Sequence, residues 1–174
     1  MLLLKNANLY TPKFLGKRDV LVGGGKILAI GEELSFSVEG LSVYDLKGKV
    51  LAPGLIDQHV HITGGGGEAG YHSRTPEITL SKIVKYGTTT LVGVLGTDGV
   101  TRSLENLYSK AKALEFEGIS TFIHTGSYAS PCVTFTGDIA KDLILIDKVI
   151  GVKIALTDNR GSYVSKEELI KILS

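Results

Sequence analysis

A chain of 174 residues that is 43% hydrophobic and 21% charged can bury the core of an ordinary domain and does not have a disordered composition. Its formal net charge of +1 gives no electrostatic footprint for nucleic acid or a membrane surface. The single cysteine, Cys132, excludes an internal disulfide and a thiolate zinc cluster. The apolar run 2–4 falls far short of the ~20 residues of a membrane span, and we expect a cytoplasmic protein.

Residues 1–50 read as a small β module, the portion of a β-sandwich. The runs 2–4, 19–22, 26–30 and 43–46 are short, apolar and separated by turns. Gly23-Gly24-Gly25 predicts a hairpin, because glycine supplies the positive φ that tight turns need. No helical period is evident before residue 75.

Residues 51–174 change rhythm. Strands are expected at 55–61, 88–95, 119–124 and 151–156. Helices are expected at 77–86, with Thr75 as cap and Pro76 in the first turn, and at 103–117, 138–149 and from Ser165 onward. Leu104, Leu107, Ala111 and Leu114 form one stripe, and Ile139, Leu143, Ile146 and Val149 another. Ser165 with Glu168 is a capping box. Four βα units in succession predict an α/β fold with a parallel sheet, either an open doubly wound domain or half of a (β/α)8 barrel. A barrel takes about 250 residues, so as a barrel this chain is incomplete.

Ligands of parallel α/β folds bind at the C-terminal ends of the strands. The residues expected there are His59 and His61, then Gly96, Thr97 and Asp98, then His124, Thr125 and Tyr128, then Lys153, Asp158 and Arg160. In a strand His59 and His61 point the same way, and two imidazoles on one face suit a divalent metal. The alternative is a pair of ordinary strand histidines. Lys153 lies in an apolar strand, where an unpaired ammonium is costly. Gly64 to Gly67, followed by Glu68, allow close approach of backbone to a ligand or are simply a flexible loop. His72 and His124 carry no spacing signal and are expected to be structural or exposed. Arg102, Lys110 and Lys112 read as a solvated helix face.

The phrase from Gly48 to His61, with Pro53-Gly54, Asp57 and His59-Val60-His61, resembles the entry into the first barrel strand of the amidohydrolase superfamily. Gly64 to Gly67 with Glu68-Ala69-Gly70, Leu95-Gly96-Thr97-Asp98, Thr125-Gly126-Ser127-Tyr128 and the stretch ending at Lys153 are similar to isoaspartyl (β-aspartyl) dipeptidases. The resemblance implies a TIM-like metallo-hydrolase barrel with two zinc ions in the complete enzyme. His59 and His61 would bind one ion, and Lys153, carboxylated, would bridge both. Metal-bound hydroxide would attack the isopeptide carbonyl of a small β-aspartyl dipeptide while Tyr128 donates to its oxygen. Glu68 would hold the free α-amino group, Gly66 would shape that pocket, and Thr97 and Arg160 would bind carboxylates.

The family's two further histidine ligands and its catalytic aspartate come from later strands that this sequence does not contain. The chain is therefore expected to be the N-terminal portion of such an enzyme, with little or no activity alone and homo-oligomeric when full length. Two other readings stay open. One is a dihydroorotase or hydantoinase of the same superfamily. The other is a non-catalytic half-barrel that dimerises.

Overall fold

The computed structural model describes residues 1–161 and 163–174, and the chain divides into two units, Met1–Pro53 and Gly54–Ser174. The first unit is one mixed sheet. It is built from β1 (Leu2–Tyr10), β2 (Phe14–Gly23), β3 (Lys26–Gly31), β4 (Ser42–Asp45) and the short β5 (Val50–Leu51). The order is β3-β2-β1-β4, with β5 also on β1. The β1–β2 and β2–β3 pairs are antiparallel, whereas β4 and β5 run parallel to β1. Gly24 and Gly25, both at positive φ (57° and 72°), make the β2–β3 turn.

The first two strands are longer than their apolar runs suggested, because pairing continues past the polar residues of β1. An irregularity between Leu4 and Ala7 puts Asn6 at φ 57°, a conformation asparagine tolerates. The Asn6 backbone N–H then donates to buried Asp19 at 2.7 Å, and the Leu34 N–H donates to the other carboxylate oxygen at 2.9 Å.

The second unit is a four-stranded parallel sheet in sequence order: β6 (Leu55–Val60), β7 (Thr88–Gly93), β8 (Ser120–Gly126) and β9 (Val149–Lys153). The connections carry α1 (Leu80–Val84), α2 (Leu104–Phe116) and α3 (Ile139–Leu145), and α4 (Lys166–Leu173) follows β9. This is the expected βα rhythm. The core is organised by α2, whose Leu104, Leu107, Ala111 and Leu114 are all at most 2% exposed. They pack in one cluster with Ile62, Leu91, Leu95, Ile119, Ile123 and Val149. The Ser103 hydroxyl caps α2 by accepting from the Asn106 N–H, and the Ser165/Glu168 capping box opens α4 as its sequence predicts.

Two helices depart from expectation. The first begins at Leu80, with Thr79 at the N-cap position, and not at residue 77. Thr75 is engaged elsewhere: its hydroxyl accepts from the Gly65 N–H at 2.8 Å, and its carbonyl accepts from Arg102 at 2.9 Å. The third helix stops at Leu145, and its buried residue is Asp142, while Leu143 is 40% exposed. Asp142 is fully buried because it anchors the preceding loop. It accepts from the Thr125 hydroxyl (2.6 Å), the Phe135 N–H (2.9 Å), and the Thr136 N–H (3.0 Å) and hydroxyl (2.7 Å). A period count over apolar residues misses a helix whose inward position is a carboxylate. Among the described residues no helix is long and apolar enough to cross a membrane.

The two faces of α3 make a direct test. Asp142→Ala orphans four donors and should cost about 3 kcal/mol. Leu143→Ala should stay within about 0.5 kcal/mol of the parent. Urea denaturation distinguishes this from the apolar-stripe reading, in which the leucine change is the costly one.

Candidate active site

The parallel register brings the ends of β6 to β9 to one side of the second unit. His59 lies near the end of β6, and His61 follows it by one residue beyond the strand. Their ring centroids are 5.4 Å apart in an edge-on arrangement. His61 Nδ1 lies 3.2 Å from the Val94 carbonyl, which can only accept, so Nδ1 carries the proton and Nε2 keeps its lone pair. Burial, and then the neighbouring His59, push the His61 pKa down, which favours the neutral ring. Glycines make room for the imidazoles: a Cβ on Gly96 would stand 3.1 Å from the His61 ring, and one on Gly151 would stand 3.0 Å from the His124 ring.

His124 is half-buried in β8, and its pKa is lowered by burial and then by His59 and Lys153. It sits toward the C-terminal end of β8, on the side of the other strand-end candidates, although its spacing carries no signal. Lys153 ends β9, half-buried, and burial lowers its pKa. Its Nζ lies 5.2 Å from the centroid of the Tyr128 ring, and the Arg160 guanidinium carbon lies 5.7 Å from the same centroid. Burial and the charge of Asp158 raise the Tyr128 pKa, keeping the hydroxyl protonated and able to donate.

Arg160 makes a fork on Asp158, with Nε to Oδ1 at 2.9 Å and Nη2 to Oδ2 at 2.7 Å. Its Nη1 is 3.5 Å from Glu68 Oε1, which also accepts from the Thr97 hydroxyl at 2.8 Å. The Thr97 hydroxyl is the first cause of a lowered Glu68 pKa. Gly66, Glu68, Thr97 and Arg160 line one open cleft of about 430 Å³, together with Arg74 and Asp98. A larger cavity, about 700 Å³, opens between α2 and α3 near the N-terminal ends of β8 and β9 and contains none of these side chains. In a parallel α/β fold the chemistry belongs to the other end.

Among the described residues, no three His, Cys, Asp or Glu side chains gather as a metal site. The donors that fit a divalent metal are the imidazoles of His59 and His61, with the Lys153 amine as a further group at the end of β9, the opposite edge of the sheet. Asp57 is exposed, and its carboxylate accepts from the His59 N–H at 3.2 Å.

Arg102 is not on a solvated face. It is 5% exposed, and its guanidinium is directed at the carbonyls of Thr63 and Thr75. Asp98 accepts from the Arg74 guanidinium (2.7 Å), the Thr101 N–H (2.8 Å), the Val100 N–H (3.2 Å) and the Thr101 hydroxyl.

No protein-family model matches the chain. It superposes on a β-aspartyl dipeptidase from Fervidobacterium islandicum AW-1, solved with β-Asp-Leu dipeptide. The TM-score is 0.92 at 54% identity, covering 98% of this chain and 45% of that one. A dihydroorotase from Lactobacillus leichmannii is 33% identical over 150 residues, which is 82% of this chain and 31% of the relative. A D-hydantoinase from a Thermus species shares the fold, with a TM-score of 0.67 at 21% identity, and 36% of its length is covered. The chain is thus an α/β protein similar in fold to part of amidohydrolase-type TIM-barrel proteins. Over nearly its whole length it is similar to part of a β-aspartyl dipeptidase, and it spans less than half the length of each of these relatives.

Asp98 gives the site a pH signature. Burial raises its pKa, but the Thr101 and Val100 donors and Arg74 pull harder, from the ordinary 3.8 down to about 2. A folded pKa below the unfolded one stabilises above about pH 4 and loses that contribution as pH falls through about 2. Urea unfolding of the parent between pH 5 and 2 should therefore fall more steeply with acid than that of Asp98→Asn. Equal slopes would show that Asp98 titrates alike in both states.

Proposed function

We propose that this chain provides the dipeptide-recognition and first metal-binding part of a zinc-dependent hydrolase acting on the isopeptide bond of β-aspartyl dipeptides. The observation that carries the reading is Glu68. It is a carboxylate held in its charged form by the Thr97 hydroxyl, in the same cleft as Arg160. A β-aspartyl dipeptide carries one free ammonium and two carboxylates. Glu68 offers the ammonium its counter-charge, Thr97 keeps Glu68 charged, and Arg160 offers a donor to a carboxylate. The Arg160–Asp158 fork fixes the guanidinium plane and leaves Nη1 facing the cleft. The glycine loop around Gly66 sets the pocket wall.

His59 and His61 would hold a zinc ion, and Lys153, once carboxylated, would supply oxygen donors toward the metal centre. Zinc supplies Lewis acidity and an acidified water when bound. Tyr128, protonated, donates to the carbonyl oxygen as negative charge grows there. No general base is assigned to a residue of this chain, and we expect little or no turnover from the 174 residues alone.

The competing reading is a dihydroorotase, supported by the 33% identity to the Lactobacillus leichmannii protein. A cyclic amide such as dihydroorotate carries no ammonium, so a charged Glu68 would have no partner. The test is a chimera of residues 1–174 with the portion of the Fervidobacterium islandicum enzyme outside the matched segment. It should hydrolyse β-Asp-Leu with zinc and leave dihydroorotate untouched. Glu68→Gln in the chimera should lose on the order of 100-fold in kcat/KM, the worth of a charged hydrogen bond. Dihydroorotate turnover, or unchanged dipeptide turnover by Glu68→Gln, overturns the assignment.

A further inference from the structure

We propose that Arg102 is the positioning residue of the glycine-rich loop: its guanidinium clasps both stems of the 63–75 segment and thereby sets where Glu68 stands. The function attached to Glu68 rests on the dipeptidase reading, but the clasp itself does not.

The loop needs an external brace. Gly64 and Gly66 lie at positive φ (85° and 70°), and a Cβ on either would stand 2.2 Å from the Thr75 carbonyl or 2.4 Å from the Ser73 carbonyl. Glycines are therefore required for the close approach, and they are also the residues with most freedom to lose. Rungs inside the loop join Thr75 N–H to the Gly65 carbonyl (2.9 Å), Gly65 N–H to the Thr75 hydroxyl (2.8 Å) and Gly67 N–H to the Ser73 hydroxyl (3.2 Å). No apolar side chain of residues 64–70 enters the core.

Arg102 comes from a different connection, the one after β7. Its Nε donates to the Thr63 carbonyl at 3.0 Å, where the chain enters the loop. Its Nη2 donates to the Thr75 carbonyl at 2.9 Å, where the chain leaves it. Nη1 faces Asp98 Oδ2 at 3.6 Å and has no hydrogen-bond partner among the described residues. Burying a guanidinium is costly, and the two carbonyls and the Asp98 carboxylate offset that cost. The same Asp98 holds Arg74, and Arg74 directly precedes Thr75 on the exit stem. Thr97, adjacent to Asp98, donates to Glu68. The β7–α2 connection thus grips the loop at both stems and at its carboxylate. A lysine keeps the charge but cannot present two fixed N–H vectors to two carbonyls.

The test uses the 174-residue chain and needs no substrate. Arg102→Lys and Thr75→Val are compared with the parent by amide hydrogen exchange and by NMR titration of the Glu68 carboxyl, assigned with Glu68→Gln. In Arg102→Lys, the amides of Gly65, Gly67 and Gly70 should exchange at least tenfold faster, while β7, β8 and α2 keep their protection. The Glu68 titration should move up toward the ordinary glutamate range as the Thr97 contact is lost. Thr75→Val, which removes only a rung, should accelerate the Gly65 amide and leave the Glu68 titration in place. Unchanged loop exchange and an unchanged Glu68 titration in Arg102→Lys overturn the proposal. So does a loss of protection in β7, β8 and α2 equal to that in the loop, because Arg102 would then support the fold at large. Neither result bears on which substrate Glu68 meets.

Discussion

The packing of α2 against the parallel sheet is the constraint on which the rest of the second unit depends. Leu107, Ala111 and Leu114 are wholly buried and Leu104 nearly so, and they lock β7 and β8 beside one another in register. Parallel register then puts four strand ends on one side without further specification. The candidate chemistry follows from that alignment: β6, β8 and β9 deliver polar side chains near their ends, and the loops beyond the strands add the others. At the opposite end the same helix serves stability. Buried Lys148 donates to Glu115 (2.7 Å) and to the Thr121 carbonyl (2.9 Å), tying α2 to the starts of β8 and β9.

The electrostatics of the strand ends divide into two neighbourhoods. At His61, His124 and Lys153, burial first and neighbouring positive groups second disfavour positive charge on the two rings, and burial does so on the lysine. Around Glu68, Asp98, Asp158 and Arg160, hydrogen bonds and opposite charges keep every group ionised. Tyr128 stands where the two meet, its ring beside both Lys153 and Arg160. A substrate with an ammonium, carboxylates and a scissile amide matches this division: charged groups in the second neighbourhood, the amide at the border with the first.

Much of this was legible in the sequence because period and punctuation agreed. The α2 stripe, the Gly24-Gly25 turn and the Ser165/Glu168 box each state their structure locally. Where reading failed, a polar residue had taken an interior role. Asp142 replaced an apolar residue on the inner face of α3, and Thr75 gave its hydroxyl and carbonyl to loop contacts and not to a helix cap. Arg102 reads as surface because arginine usually is, whereas it is buried. His124 shares a sheet side with His59 only because β7 pairs with both β6 and β8, which no local pattern encodes. The histidine pair, Glu68, Tyr128 and Lys153 could be named from motif and resemblance, but their proximity rests on register.

The central claim is that these strand ends build the first part of a zinc centre. Zinc K-edge absorption on the chain equilibrated with one equivalent of zinc tests it most directly. The account predicts imidazole nitrogen ligands at ~2.0–2.1 Å that disappear in His59→Ala and in His61→Ala. A first shell containing sulfur from Cys132, or imidazole ligation that survives both substitutions, would contradict it.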